Sequence, residues 1–180
     1  MDKNHLVSKL NKLFPGLILE VRRFGRSEVT SIWVEAQSIP KVASVLKDDL
    51  EFRLEWLENF SVVEFDQVLV ISYFLGSTAK GLSLVVRASL VPFTLLEEIG
   101  CPSVQNIWPM IEPMEREASE MFGIRFHLNK DQLYREKPFL LPEGWKGFPM
   151  RKKYVFPKEY FGVAHRSARS RQSQKKSGQS

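Results

Sequence analysis

A helical period that stops at a glycine and restarts as a strand narrows the possible folds more than anything else in this chain. In Met114 and the run EREASEMFGIRF that follows it from Glu115, the residues Met114, Ala118, Met121 and Phe122 recur at i, i+4, i+7 and i+8 and mark one apolar helical face. Pro113 suits the first turn, where its missing N–H costs nothing, and Glu112, Glu115 and Glu117 set negative charge at the positive end of the helix dipole. Gly123 stands where the last residue must reach left-handed angles, and Ile124, Arg125 and Phe126 then alternate as a strand start. A second segment, LPEGWKGFPMRKKY from Leu141, packs Pro142, Gly144, Trp145, Gly147, Phe148 and Pro149 into a stretch too irregular for helix or strand. Such a stretch is expected to dock on something.

The triplet Glu115, Arg116, Glu117 is the obvious place to look for chemistry. Carboxylates at i and i+2 of a helix point to different sides and cannot flank one bond, so general acid–base work is not expected from them. Arg116 is expected to pair with Glu120 one turn on, a contact that contributes about 0.3–0.5 kcal/mol in water. The triplet therefore reads either as a solvated charged face or as an ion-pair surface matched to a partner protein.

Before these segments the chain reads as an α+β domain, a small mixed or antiparallel sheet packed on helices. Leu6, Leu10, Leu13 and Phe14 mark an amphipathic N-terminal helix. Residues 17–24 and 29–35 read as strands with a turn at 25–27, and Ser38 offers a cap for a helix with Pro40 in its first turn. Ile39, Val42, Ala43, Leu46 and Leu50 form that helix's apolar stripe, which is expected to cover one face of the sheet. Phe52, Leu54 and Trp56 alternate with Arg53 and Glu55 as a third strand or strand-like edge. The clearest hairpin joins 67–75 to 82–90 through the loop 76–81, with Leu82, Leu84, Val86, Ala88 and Leu90 on one side. Ser103 offers a cap for a short helix through Ile107, which Trp108-Pro109 breaks. Trp108, Met110, Met114, Met121 and Phe122 read as core rather than as a cofactor box.

Charge and residue counts exclude several functions. Of the 26 basic and 21 acidic residues, 161–180 hold Arg166, Arg169, Arg171, Lys175 and Lys176 and no acid, so the remaining 160 residues carry 21 of each sign. The body is neutral and the tail alone is basic; with no aromatic after Phe161, the tail cannot bury enough surface to order itself and reads as disordered. A single cysteine, Cys101, cannot hold an iron–sulfur cluster, and His5, His127 and His165 lack paired metal-ligand spacing. The mostly apolar run 68–75, which Ser72 interrupts, falls short of the roughly 20 residues of a spanning helix. The N-terminal residues have neither a signal-peptide core nor the acid-poor, Arg-rich character of a transit peptide.

The run IWPMIEPMEREASEMFGIRF from Ile107, followed by LPEGWKGFPMRKKY, resembles the signature of the 30 kDa subunit of respiratory complex I, the NADH-quinone oxidoreductase. Trp108, Pro109, Glu115, Arg116, Glu117, Phe122, Gly123, Ile124, Phe126, Leu141, Pro142, Trp145, Gly147, Pro149, Arg151, Lys152 and Tyr154 match that pattern in order. Glu120 and Lys153 stand where the family usually has Asp, and the connector after Phe126 is a few residues longer, an insertion a loop absorbs at little cost.

The resemblance implies a structural subunit without catalytic, cofactor-binding or metal-binding residues of its own, with FMN and iron–sulfur clusters carried by partner subunits. Its partners would be the 49 kDa-type subunit and the iron–sulfur subunits of the peripheral arm, with membrane association indirect, at the cytoplasmic face of a bacterial inner membrane, and no nucleic acid. The interface residues it implies are Glu115, Arg116, Glu117, Phe122, Gly123, Pro142, Trp145, Gly147, Pro149, Arg151, Lys152 and Tyr154. The chain then divides into a core at 1–126, an extended docking segment at 127–160 and a flexible basic tail at 161–180. The docking segment is expected to gain its order from a companion polypeptide, with Arg151, Lys152 and Lys153 finding that partner's carboxylates. Two other readings are the homologous subunit of a complex-I-related membrane-bound [NiFe] hydrogenase and an RNA-associated protein acting through its tail.

Overall fold

The computed structural model describes residues 3–16, 18–24, 29–91, 99–128, 138–160 and 162–164. The turn expected at 25–27, most of the connector and the basic tail lie outside them.

Helix α1 (Lys3–Leu13) leads through a left-handed Gly16 toward strand β1 (Ile18–Phe24), which pairs antiparallel with β2 (Val29–Val34). Leu10 and Phe14 are buried, as the amphipathic spacing implies. A 3-10 turn at Ala36–Ser38 then runs directly into α2 (Ile39–Asp48), with Pro40 in the first turn. Ser38 does not cap α2: its backbone is already helical and its hydroxyl makes no capping bond. The stripe Ile39, Val42, Ala43 and Leu46 is buried, but Leu50 is 83% exposed. The helix stops at Asp48, and Asp49 Oδ1 accepts the N–H groups of Glu51 and Phe52, turning the chain away before Leu50 can complete the stripe.

The third strand lies later than its alternation suggests. Phe52 and Leu54 are buried, but in a turn with Arg53 at φ +45°; β3 runs from Trp56 to Phe65 and pairs along its length with β4 (Val68–Ser77). A register shift between Leu57 and Asn59 reverses the inside–outside phase within β3, so no single alternation spans it. Asp66 and Gln67, both at positive φ, close this hairpin in two residues. β4 pairs in turn with β5 (Leu82–Leu90), on which Leu84, Val86, Ala88 and Leu90 are buried.

The sheet order is β1-β2-β5-β4-β3, antiparallel except for β2 beside β5. That parallel pair requires a crossover, which α2 and the β3–β4 hairpin supply. A smaller sheet pairs β6 (Ile99–Pro102) in parallel with β7 (Ile124–His127), and α3 (Glu112–Phe122) is the connection between them. The sheets and helices share one buried cluster in which Leu46, Ile71, Tyr73, Cys101, Trp108 and Phe126 all take part. The chain is thus α+β with a mixed sheet. A two-strand ladder, β8 (Glu159–Tyr160) with β9 (Val163–Ala164), ends the described chain.

Candidate functional site

The two sequence motifs meet at the C-terminal end of α3. A helix end leaves its last carbonyls without intrahelical partners and carries partial negative charge, and α3 has no basic residue in its last turn. The second motif provides what is missing. The Met150 N–H donates to the Met121 carbonyl at 3.1 Å, and Arg151 Nε donates to the Phe122 carbonyl at 2.7 Å. Gly123 takes φ +72°, ψ +37° and closes the helix with a bond to the Ser119 carbonyl. Phe148 then lies over Gly123 so closely that a side chain at 123 would strike its ring.

Glu120, whose spacing predicts a pair with Arg116, instead lies 4% exposed and accepts the N–H groups of Phe139, Leu140 (2.7 Å) and Leu141 (3.0 Å). Arg116 reaches back to Glu112 at 3.5 Å and lies over the Phe139 ring. Glu64, buried on β3, accepts the Lys152 N–H at 2.6 Å, and Lys153 Nζ donates to Gln67 at the hairpin turn. Arg151 itself is 5% exposed. Burial lowers its pKa while the Glu64 charge opposes that shift.

These contacts correct the expectation that the segment owes its order to another polypeptide. Residues 139–141 and 150–153 of it fold back on α3 and on the β3–β4 hairpin of the same chain, because buried carboxylates and open helix carbonyls there accept their N–H groups. Arg151 is therefore spent within the chain rather than held out for a partner's carboxylate. Several other described residues of the segment lie nearer the surface. Trp145 stacks on Tyr154 with ring centroids 6.4 Å apart, and Phe156 meets both edge-on. Gly147 sits at φ +81° against the Tyr154 ring, and Pro142 is exposed while Pro149 is partly covered. Phe139, Leu140, Met150, Val155 and Phe156 are exposed large apolar residues, with Lys146, Lys152, Lys153 and Lys158 exposed among them.

Glu115 also departs from the solvated-face reading. It is fully buried, accepting the Ser103 hydroxyl at 2.6 Å and the Val104 N–H at 3.2 Å. Ser103 in turn accepts the Gln105 N–H, so it caps a turn rather than the expected helix. Burial pushes the Glu115 carboxyl up to about 7, against these two hydrogen bonds. The sequence signal is present: Glu115 stands three and seven residues before Ala118 and Phe122, on their side of the helix. Trp108, Met114, Met121 and Phe122 belong to or pack against the core, whereas Met110 is exposed. Cys101 is buried beside Glu115, and burial first, then that charge, push its thiol far up, which leaves it unreactive.

Among the described residues lining the groove between α3 and β3 there is no acid–base pair, Glu117 being the one titratable group there. Nor is there among the described residues a group of three or more His, Cys, Asp or Glu placed to hold a metal ion, or a helix long and apolar enough to cross a membrane. The arrangement can present surface.

Comparison with known proteins gives that surface a context. Residues 32–160 match the family model described as respiratory-chain NADH dehydrogenase, 30 Kd subunit. An NADH-quinone oxidoreductase subunit of Citrifermentans bemidjiense is 31% identical over 156 residues, covering 85% of this chain and 89% of that one. Its counterpart from Roseiflexus castenholzii is 29% identical over 157 residues, covering 84% and 83%. The counterpart from Salinispora arenicola is 30% identical over 174 residues, 89% of this chain but 65% of the relative, so the chain spans about two thirds of that longer protein. One polypeptide in the structure of the membrane-bound sulfane sulfur reductase, an archaeal respiratory membrane complex, superposes with a TM-score of 0.57 at 21% identity over 78% of both chains, a likeness of fold.

Proposed function

The chain belongs to the family of the 30 kDa subunit of the respiratory-chain NADH dehydrogenase, and from that premise we propose that it is a structural subunit of the peripheral arm of a complex-I-type NADH-quinone oxidoreductase, without cofactors of its own. FMN and iron–sulfur clusters in companion subunits carry the electrons from NADH to quinone. This chain docks on the large, 49 kDa-type subunit, and the assembly holds it at the cytoplasmic face of a bacterial inner membrane.

One observation supports this reading above the others: the second motif is anchored on its own helix, yet the residues on either side of it, Phe139 and Leu140 before and Val155 and Phe156 after, are exposed, with exposed lysines in the same segment. An apolar patch flanked by more exposed lysines than carboxylates, Lys146, Lys152, Lys153 and Lys158 against Glu143 and Glu159, fits a protein partner with apolar pockets and carboxylates around them. Because the anchoring contacts already order the segment, less chain entropy is lost when it docks.

Co-expression with the 49 kDa-type and iron–sulfur subunits, followed by purification through a tag on this chain, tests the reading. A stoichiometric subcomplex is expected, weakened by Trp145→Ala and Phe156→Ala while the free chain stays folded. Recovery of this chain alone, as a stable monomer, would overturn it.

A further inference from the structure

Four carboxylates line the first two turns and the middle of α3, and the fold uses three of them. Glu112 pairs with Arg116, Glu115 is buried against Ser103 and Val104, and Glu120 holds the three amides at 139–141. Glu117 is exposed and, among the described residues, has neither an ion pair nor a hydrogen bond. It lines a groove of about 310 Å³ between α3 and β3 that is partly open to solvent. Phe60, Met114, Ala118, Met121 and Phe122 line it, together with Met150 of the second motif and the exposed Asn59. Asn59 Oδ1 accepts the Phe60 N–H, which leaves its amide hydrogens for something else.

We infer that this groove receives a segment of a companion polypeptide bearing one aromatic or long aliphatic side chain with an Arg or Lys beside it. The apolar side chain fills the methionine-lined floor, the cation reaches Glu117, and the Asn59 amide donates to a backbone carbonyl of the incoming segment. Methionine walls adapt to the side chain that enters, because the unbranched thioether repacks with little strain. The groove is at the small end of ligand pockets and partly open, a shape suited to a side chain delivered from outside rather than to an enclosed small molecule. A lone carboxylate beside an apolar floor selects for a cation in the occupant, since a neutral or acidic neighbour leaves that charge desolvated without compensation. Met150 joins the groove to the outward face of the second motif, so one partner can engage both.

This inference rests on the reading of the chain as one subunit of an assembly, and the test separates the two. The photo-crosslinking residue p-benzoylphenylalanine is placed at Asn59 for the groove, or at Phe156 for the outer face, in the full chain co-expressed with its companion subunits. In parallel, Glu117→Lys and Glu117→Gln are compared for co-purification. Position 59 is expected to crosslink to a peptide of a companion protein that contains an Arg or Lys, with Glu117→Lys weakening association about tenfold at low salt, less so as salt is raised, and Glu117→Gln weakening it less. Crosslinks from position 156 without any from 59, and no effect of Glu117→Lys, would overturn the groove while the docking reading stands. Crosslinking of position 59 to a second copy of this chain or to lipid would also overturn it. Absence of crosslinks from both positions, with no co-purification, would overturn both readings.

Discussion

Phe148 lies against the α carbon of Gly123: a methyl group built on the glycine would sit 2.5 Å from the phenylalanine ring. Gly123 is also at φ +72°, so the position is restricted twice, once by its backbone and once by what covers it. This is the contact at which the two motifs, separated by a connector, become one unit.

Gly123→Ala should therefore destabilise the chain by about 3 kcal/mol, combining roughly 1–2 for a left-handed alanine with the strain of displacing Phe148. In a Phe148→Ala background the same change should cost only about 1 kcal/mol. Urea unfolding of the two single mutants and the double mutant checks this, and strict additivity would mean that the ring does not confine the glycine.

Glu115 predicts a pH dependence of definite sign. Its carboxyl titrates near 7 in the folded chain against the ordinary 4.5, so folding favours the proton-bound form. The unfolded chain then binds fewer protons between those values, and stability falls as pH rises from 4.5 to 7, by about 3 kcal/mol for this group. Glu115→Gln keeps an acceptor for the Val104 N–H and removes the charge, so that part of the slope should vanish. Equal slopes for the two proteins across that window would refute the assignment.

Glu120 should act as a local latch. Glu120→Ala removes the acceptor for three backbone N–H groups, and hydrogen exchange at Leu140 and Leu141 should speed up by about ten- to a hundredfold, as expected for losing bonds to a charged acceptor. Amides of β4 and β5 should keep their protection. Loss of protection across the whole sheet would instead make Glu120 part of the global core.

Arg151 separates an internal role from an interfacial one. As a contact reserved for a partner, its removal would leave the free chain as stable as before; as the donor that closes α3, its loss strands the Phe122 carbonyl and leaves Glu64 short of a compensating charge. Arg151→Ala should lower the stability of the isolated chain by about 2 kcal/mol or more. Thermal unfolding of the free protein, with no partner present, decides between them.

Local sequence chemistry reveals the elements whose causes are local. Pro113 and Gly123 bound α3, Ile124 to Phe126 begin β7, and the alternation through Leu84, Val86, Ala88 and Leu90 marks the buried face of β5. The ordered pair of motifs likewise points to the family. Where one residue breaks the period, local pattern misleads: the register shift after Leu57 hides β3, and the turn built on Asp49 carries Leu50 out of its stripe.

By itself, then, the amino-acid order determined where helices start and stop, which strands alternate and which family the chain resembles, because those depend on backbone angles and on neighbours a few residues away. Tertiary structure alone decided the fate of the charges. Glu64, Glu120 and Arg151 look like surface residues in any local window, yet each is buried because a distant segment brings N–H groups or an open carbonyl to satisfy it, and Glu115, which helical spacing does put on the buried side, is likewise satisfied from outside its helix, by Ser103 and Val104. The compensation for burying a charge comes from residues far along the chain, and no spacing within a helix or strand carries that information.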